Sequence, residues 1–345
     1  MVSITPLSTA DVAFDADGVY VWSILLAAER AMTEETPNSQ LKTLLVGVRV
    51  VGHFLSEFWK ARGSLLIGGS KPYHKQIKSC EALPSSTASR QELVACYEKI
   101  SAFGIHYQKH LMRVFRSLPK TSQHPSRPSL DSLMADTVVQ NVDRSKPNVK
   151  RPALARDGFK CVVSGLIDLS SYEAFPTAFP PYVVTCNTQC CHILSESAHS
   201  DEKTDYAWAA MEMLKMFDFD FRSLLGSGAN TLHNVFEEIN GQPNTYNVVA
   251  ARPSFWTMIQ RPRQRVTFTV DPDFAAECDA QEVTPELPSR GLLAIRAAVS
   301  RVAPMSGAAE QYEIITRGRE TSTVMALDGG SAEFLKVLIE ISVAA

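Results

Sequence analysis

The 345-residue chain lacks an excess of either charge: 34 Lys and Arg stand against 37 Asp and Glu, for a formal net charge of -3. Whole-chain electrostatics therefore cannot hold a polyanion, and any nucleic-acid affinity must come from a local patch. The chain also lacks a run of about 20 uninterrupted apolar residues, the length a bilayer demands. Arg49, His53 and Lys60 interrupt the longest candidate, so no membrane span is expected. Val19 to Ala28 is a short apolar stretch, and Asp11, Asp15 and Asp17 precede it in place of a cationic region, which speaks against a secretory signal. An intracellular location, nuclear or cytoplasmic, is the expectation, and the seven cysteines are then thiols or metal ligands before they are disulfides. Internal repeats are missing too. With 45% hydrophobic and 21% charged residues, a fully disordered or collagen-like chain is excluded.

What is present reads as an α+β chain of two or three domains, at roughly 100–200 residues each. Leu41, Leu44, Leu45, Val48, Val51, Leu55 and Phe58 fall at three- and four-residue steps and predict a helix. A second pattern from Arg90 to Leu118 predicts another, with Gly104 as its weak point. Residues 1–118 thus form a helical region. Pro119, Pro125 and Pro128 among Ser, Thr and Gln mark a linker over 119–150. Tyr206 to Phe217 carries one more helical face. From 247 to 345 the pattern is mixed: strands at Tyr246 to Ala250 and at Val266, Phe268 and Val270, then an acidic loop from Asp271 to Pro288. Two helices follow, one ending before Pro304 and one opening at Ser331.

Chemistry concentrates between 151 and 246. Arg156 to Gly165 spell RDGFKCVVSG, a charged turn leading into a short apolar strand and a second turn. Lys146, Lys150, Arg151, Arg156 and Lys160 make the local basic patch, which on spacing alone reads first as a solvated surface. Cys186 to Ser197 hold CNTQCCHILSES, with His192 at an expected strand end, and Asn234 follows in LHNV. Cys161, Cys186, Cys190 and Cys191 are enough ligands for a tetrahedral zinc site. Their spacing contains no C-x2-C pair, and adjacent Cys190 and Cys191 would face opposite sides of a strand, so buried free thiols are the favoured reading. No phosphate loop, G-x-S-x-G elbow or H-E-x-x-H helix occurs.

The combination of RDGFKCVVSG, CHIL and the asparagine of LHNV resembles the HNH endonuclease family, especially the fungal proteins that bear this domain. NTYNVVAA, SGAAE and DGGSAEFL are similar to the C-terminal sequences of those proteins. The resemblance implies a central ββα-metal module, in which a hairpin and a helix hold one divalent ion beside the scissile phosphate. By position, His192 would be the general base and Asn234 the residue that braces the loop and orients it. Arg151, Arg156 and Lys160 would contact phosphates, and the partner would be nucleic acid, DNA before RNA.

The sequence departs from the family pattern in two places. The third motif residue, a metal-binding histidine on the following helix, is missing, because no histidine follows His233. The text runs from Asn234 through Glu237 and Glu238 to Gly241 as though a segment of about twenty residues, a helix plus a strand, were absent. The module is incomplete if that gap is real. Glu237 and Glu238 are the oxygen donors left for Mg2+, whereas Cys191 beside His192 would favour a softer ion such as Zn2+. Two readings stay open: a metal-dependent endonuclease, and a non-catalytic nucleic-acid-binding or interaction protein with a degenerate module. The oligomeric state is not legible.

Overall fold

A computed structural model describes residues 4–8, 12–33, 39–62, 71–79, 90–112, 114–115, 150–188, 191–193, 212–215, 228–229, 234–239, 241–250 and 263–311. These form a mixture of helix and sheet in which helix dominates and the sheets are small. Residues 212–215 are helical; the rest of the helix predicted from Tyr206 to Phe217, most of the linker and the helix predicted from Ser331 lie outside the described residues. Two units divide the chain: Met1–Arg116, Ser197–Phe219 and Ala298–Ala345 in the first, Ser117–Glu196 and Asp220–Ala297 in the second.

The first unit is helical. Helices α1 (Ala16–Thr33), α2 (Ser39–Lys60), α3 (Lys71–Ser79) and α4 (Arg90–Tyr107) build it, and α2 packs against α1 and α4. Asp15 opens α1 by accepting the Gly18 N–H at 2.8 Å, satisfying one of the donors that a helix start leaves unpaired. The predicted stripe of α2 is its core face: Val48, Val51, Leu55 and Phe58 are fully buried. Beyond Val50 nearly every side chain of α2 is buried, including His53 and Glu57, which makes it the central helix of the unit. Phe54, Phe58, Tyr73, Phe103 and Tyr107 form a continuous aromatic cluster with ring centroids 4.8–5.8 Å apart.

Gly104 is not the weak point that its helix propensity suggests. It lies buried inside α4, where a Cβ would land on the Gly47 carbonyl of α2, and a Cβ on Gly47 would in turn strike the backbone of Ser101. Ser101 Oγ donates to the Leu44 carbonyl at 2.8 Å, tying the same crossing. Glycine is kept there for close approach, a gain that offsets its cost in backbone entropy. The end of α4 is instead marked by a π-helical turn, Gln108–Met112.

Polar groups anchor the first segment of the chain to this bundle. Glu29 accepts the Leu7 N–H at 3.0 Å and Arg49 Nε at 2.6 Å, while His53 Nε2 donates to the Thr5 carbonyl at 2.9 Å. Burial lowers the His53 pKa below its ordinary 6.5, with the bond to Thr5 opposing the shift. Buried Glu57 is matched by Arg301 Nε at 2.6 Å and Lys60 at 3.1 Å.

The second unit begins with α5 (Lys150–Arg156), β1 (Ile167–Asp168), α6 (Leu169–Ala174) and β2 (Thr185–Cys186), β1 pairing with β2 in parallel. It continues with β3 (Cys191–His192) against β4 (Gly228–Ala229), and with a three-stranded antiparallel sheet, β5 (Asn234–Glu238), β6 (Thr245–Ala250) and β7 (Arg265–Thr267). That sheet crosses residue 246, where composition drew a boundary. Helix α7 (Pro272–Ala280) follows, then α8 (Arg290–Ser306), which runs across the division between the units.

Three local expectations are corrected. Cys161 to Val163 are a turn and not a strand: Gly165 N–H donates to the Cys161 carbonyl at 2.7 Å, and Cys161 N–H to the Leu166 carbonyl at 2.8 Å, so the hairpin closes there. The acidic stretch after Asp271 opens as α7, because Asp271 accepts the Asp273 N–H at 3.1 Å and Pro272 occupies the first turn. Phe274 and Cys278, one turn apart, then pack on Leu154, Ala155 and Phe159. Pro304 does not end α8. Its last turn is held from outside, with Thr5 N–H donating to the Met305 carbonyl at 2.9 Å.

Two outcomes follow. Gly104→Ala is expected to cost about 1–3 kcal/mol by forcing α2 and α4 apart; thermal unfolding at the wild-type midpoint would show this cooperation between helices to be mistaken. For His53, the unfolded side chain binds a proton before the folded one does, so stability should fall as pH drops from about 6.5 through the lowered folded value. Melting temperatures measured from neutral pH to about pH 5 should fall less steeply in His53→Gln.

Candidate nucleic-acid interface

The second unit carries a groove of about 520 Å3 between the turn that follows α5 and the strand leading to α7. Its walls include Arg156, Lys160, Arg263 and Arg265 against two carboxylates, Asp157 and Asp271. The carboxylates are committed elsewhere. Arg156 Nε and a second guanidinium nitrogen meet the two oxygens of Asp157 at 2.7 and 2.9 Å, and both side chains are nearly inaccessible. Burial raises the Asp157 pKa, and Arg156 pulls it back. Asp271 caps α7, and its N–H donates to the Arg156 carbonyl at 2.7 Å, which joins the two walls.

Lys160, Arg263 and Arg265 are different in kind. All three are exposed, and among the described residues none forms an ion pair. Arg263 is held by its backbone, which donates to the Val163 carbonyl at 2.9 Å, and its guanidinium lies directly against Gly165. Gly165 has φ of 71°, the left-handed region that favours glycine, while the guanidinium beside it is the movable end of an exposed side chain. Lys160 bridges to Ile167, and Arg265 pairs with Asn247 in the sheet. Three cations are thus fixed by backbone pairing around one opening.

Of the three residues expected at phosphates, only Lys160 stands exposed in this groove. Arg156 is buried in its ion pair and serves the fold, because a guanidinium already bidentate to a carboxylate has little left to offer a phosphate. Arg151 is half-buried on α5, its Nε shielded and without a hydrogen bond among the described residues. Arg263 and Arg265 were not anticipated. The signal for them is the alternation of Arg261, Arg263 and Arg265 in RPRQR, where period two puts like charges on one face of a strand.

His192 ends β3 opposite Gly228, whereas Asn234 opens β5 opposite Ala250, so the two stand in separate sheets. The side chains of Cys191, His192 and Asn234 lie outside the described residues. After Asn234 the chain forms a β5–β6 hairpin, with no helix among the described residues between Asn234 and Tyr246. Glu237 and Glu238 are neighbours on β5 and therefore point to opposite faces, so they do not converge on one ion. Glu238 is instead engaged by Arg290 Nε at 2.6 Å. Among the described residues no group of three His, Cys, Asp or Glu side chains surrounds a common point.

Beside the groove, β1 and β2 are only two residues long and are held by Asp168. Its carboxylate, 1% exposed, accepts Ser171 N–H and Oγ–H at 2.9 Å each, Thr188 N–H at 3.3 Å and a short bond from the Thr188 hydroxyl. Cys161 and Cys186 come together here as free thiols, and burial and then Cys161 raise the Cys186 pKa. Asp168→Asn places an amide donor against hydroxyl and backbone donors and should cost about 2–4 kcal/mol. Chemical denaturation with an unchanged midpoint would refute that role.

No family model, curated protein or solved structure matches the chain, which leaves the groove itself as the ground for a functional reading.

Proposed function

We propose that the protein binds nucleic acid through the groove of its second unit, with Lys160, Arg263 and Arg265 as phosphate contacts, and that it is an HNH-type nuclease homologue. The observation that carries the binding step is the set of three exposed cations, without ion pairs among the described residues, fixed by backbone pairing around one opening. On a chain of net charge -3 whole-chain attraction is absent, so any hold on a polyanion falls to a local set such as this one. The order of events then follows from charge. Cations with no ion pair among the described residues exchange water and counterions for phosphate oxygens, so binding releases counterions and weakens with salt.

Cleavage is the further step that the sequence resemblance implies. In it His192 would take a proton from the attacking water, Asn234 would keep the imidazole oriented, and a divalent ion, Mg2+ or Zn2+, would neutralise the phosphate. The divergent faces of Glu237 and Glu238 and the separate sheets of His192 and Asn234 favour the non-catalytic alternative, a nucleic-acid-binding protein with a degenerate module.

Both readings are tested with the full chain. Fluorescent duplex and single-stranded oligonucleotides should bind without metal, and the triple variant Lys160→Gln, Arg263→Gln, Arg265→Gln should lower the slope of log affinity against log salt by about 2.7 on duplex DNA. Binding that is absent, or insensitive to both salt and the triple variant, rejects the groove. With Mg2+, Mn2+ or Zn2+, nicking of supercoiled plasmid that vanishes in His192→Ala would establish the endonuclease; binding with no nicking would leave the non-catalytic form.

A further inference from the structure

We infer that Cys161, Ser164 and Cys186 form a binding site for one thiophilic divalent metal ion of the zinc class, distinct from the ion that the HNH resemblance would put beside His192. The inference does not rest on nucleic-acid binding. Its starting point is the turn Cys161 to Ser164. There the Ser164 N–H points at Cys161 Sγ at 3.5 Å, so the turn wraps its backbone around that sulfur. A C-x2-C metal knuckle needs that geometry, and here serine stands where the second cysteine would be. Sequence spacing hides the likeness, since it searches for sulfur at both ends.

The third donor arrives from β2. Cys186 Sγ lies 3.9 Å from Ser164 Oγ. Two ligands of a tetrahedral ion with a metal–sulfur bond of about 2.3 Å and a metal–oxygen bond of about 2.1 Å are about 3.6 Å apart, so the pair needs to close by only a few tenths of an ångström. Ser164 Oγ accepts the Leu166 N–H at 3.2 Å, which leaves a second lone pair for an ion and fixes the direction of the hydroxyl. The N–H contact to Cys161 Sγ is the kind of outer hydrogen bond that steadies a metal-bound thiolate.

The donors are held by elements that do not depend on the ion. Lys160 bridges to Ile167 on one side of β1, and Asp168 pairs with Cys186 on the other, so the two thiols reach across one strand towards Ser164. Both cysteines are partly exposed and free, and Cys161 lines the groove, which supplies an entry path. Two thiolates and one hydroxyl leave the fourth position of a tetrahedron to water or an added ligand. A neutral hydroxyl is the weak member of the set, and replacing it with a thiol should tighten the site.

The reduced full chain, stripped of metal and kept free of oxygen, is titrated with Co2+ and then with Zn2+ in competition. One equivalent of Co2+ should produce thiolate-to-cobalt absorption in the near ultraviolet. That signal should be lost in Cys161→Ser and in Cys186→Ser, and kept in the double variant Cys190→Ser, Cys191→Ser. Ser164→Cys should raise the affinity by ~10-fold or more, the scale on which ligand-shell changes act; this gain cannot come from a variant that fails to fold. The assignment is overturned by no absorption with excess Co2+, by a signal that survives both single variants or depends on Cys190 and Cys191, or by unchanged affinity in Ser164→Cys.

Discussion

The second unit depends on one buried carboxylate. Strands of two residues cannot hold themselves together, since a parallel pair of that length contributes too few ladder bonds to offset the order it imposes. Asp168 supplies what is missing. It accepts hydrogen bonds from Ser171 and Thr188 together, so the end of β1, the first turn of α6 and the segment after β2 share one anchor. A desolvated carboxylate costs several kcal/mol unless its lone pairs are filled, and here four donors fill them. The position of Cys186 opposite Asp168, and hence its meeting with Ser164, follows from that arrangement.

The groove shows a related economy. Arg156 and Asp157 satisfy each other in the wall, and the Asp271 amide donates to the Arg156 carbonyl, so the framework uses up one cation and the buried carboxylate next to it. Lys160, Arg263 and Arg265 are left over from this pairing. Buried ion pairs serve geometry, while the exposed cations fixed by their backbone are the ones the proposed binding would use, because they would meet a phosphate without first breaking an ion pair.

In the first unit, helix periodicity marked the apolar stripe of α2, although beyond Val50 that helix is buried on nearly every side. Val48, Val51, Leu55 and Phe58 could be read directly, and the structure buries all four. Gly104 was read through intrinsic propensity alone, and that misled, because the Gly47 carbonyl packed against it belongs to another helix. The helix after Asp271 was legible in principle from an aspartate followed by proline, with apolar residues four apart at Phe274 and Cys278, but the surrounding acidic residues masked it. RPRQR was equally open to reading and was missed for its distance from the motif region.

What the sequence by itself determined is local: which segments are helical, where turns must fall, and which residues carry charge, sulfur or imidazole. These depend on neighbours three or four residues away, which any chain displays in its own order. Only the tertiary structure decided that Arg156 is spent on Asp157 while Arg263 and Arg265 join Lys160, that Glu237 and Glu238 diverge, and that Cys161, Ser164 and Cys186 converge. Those outcomes turn on strand register and on pairing between distant segments, and neither is encoded in the spacing of residue types.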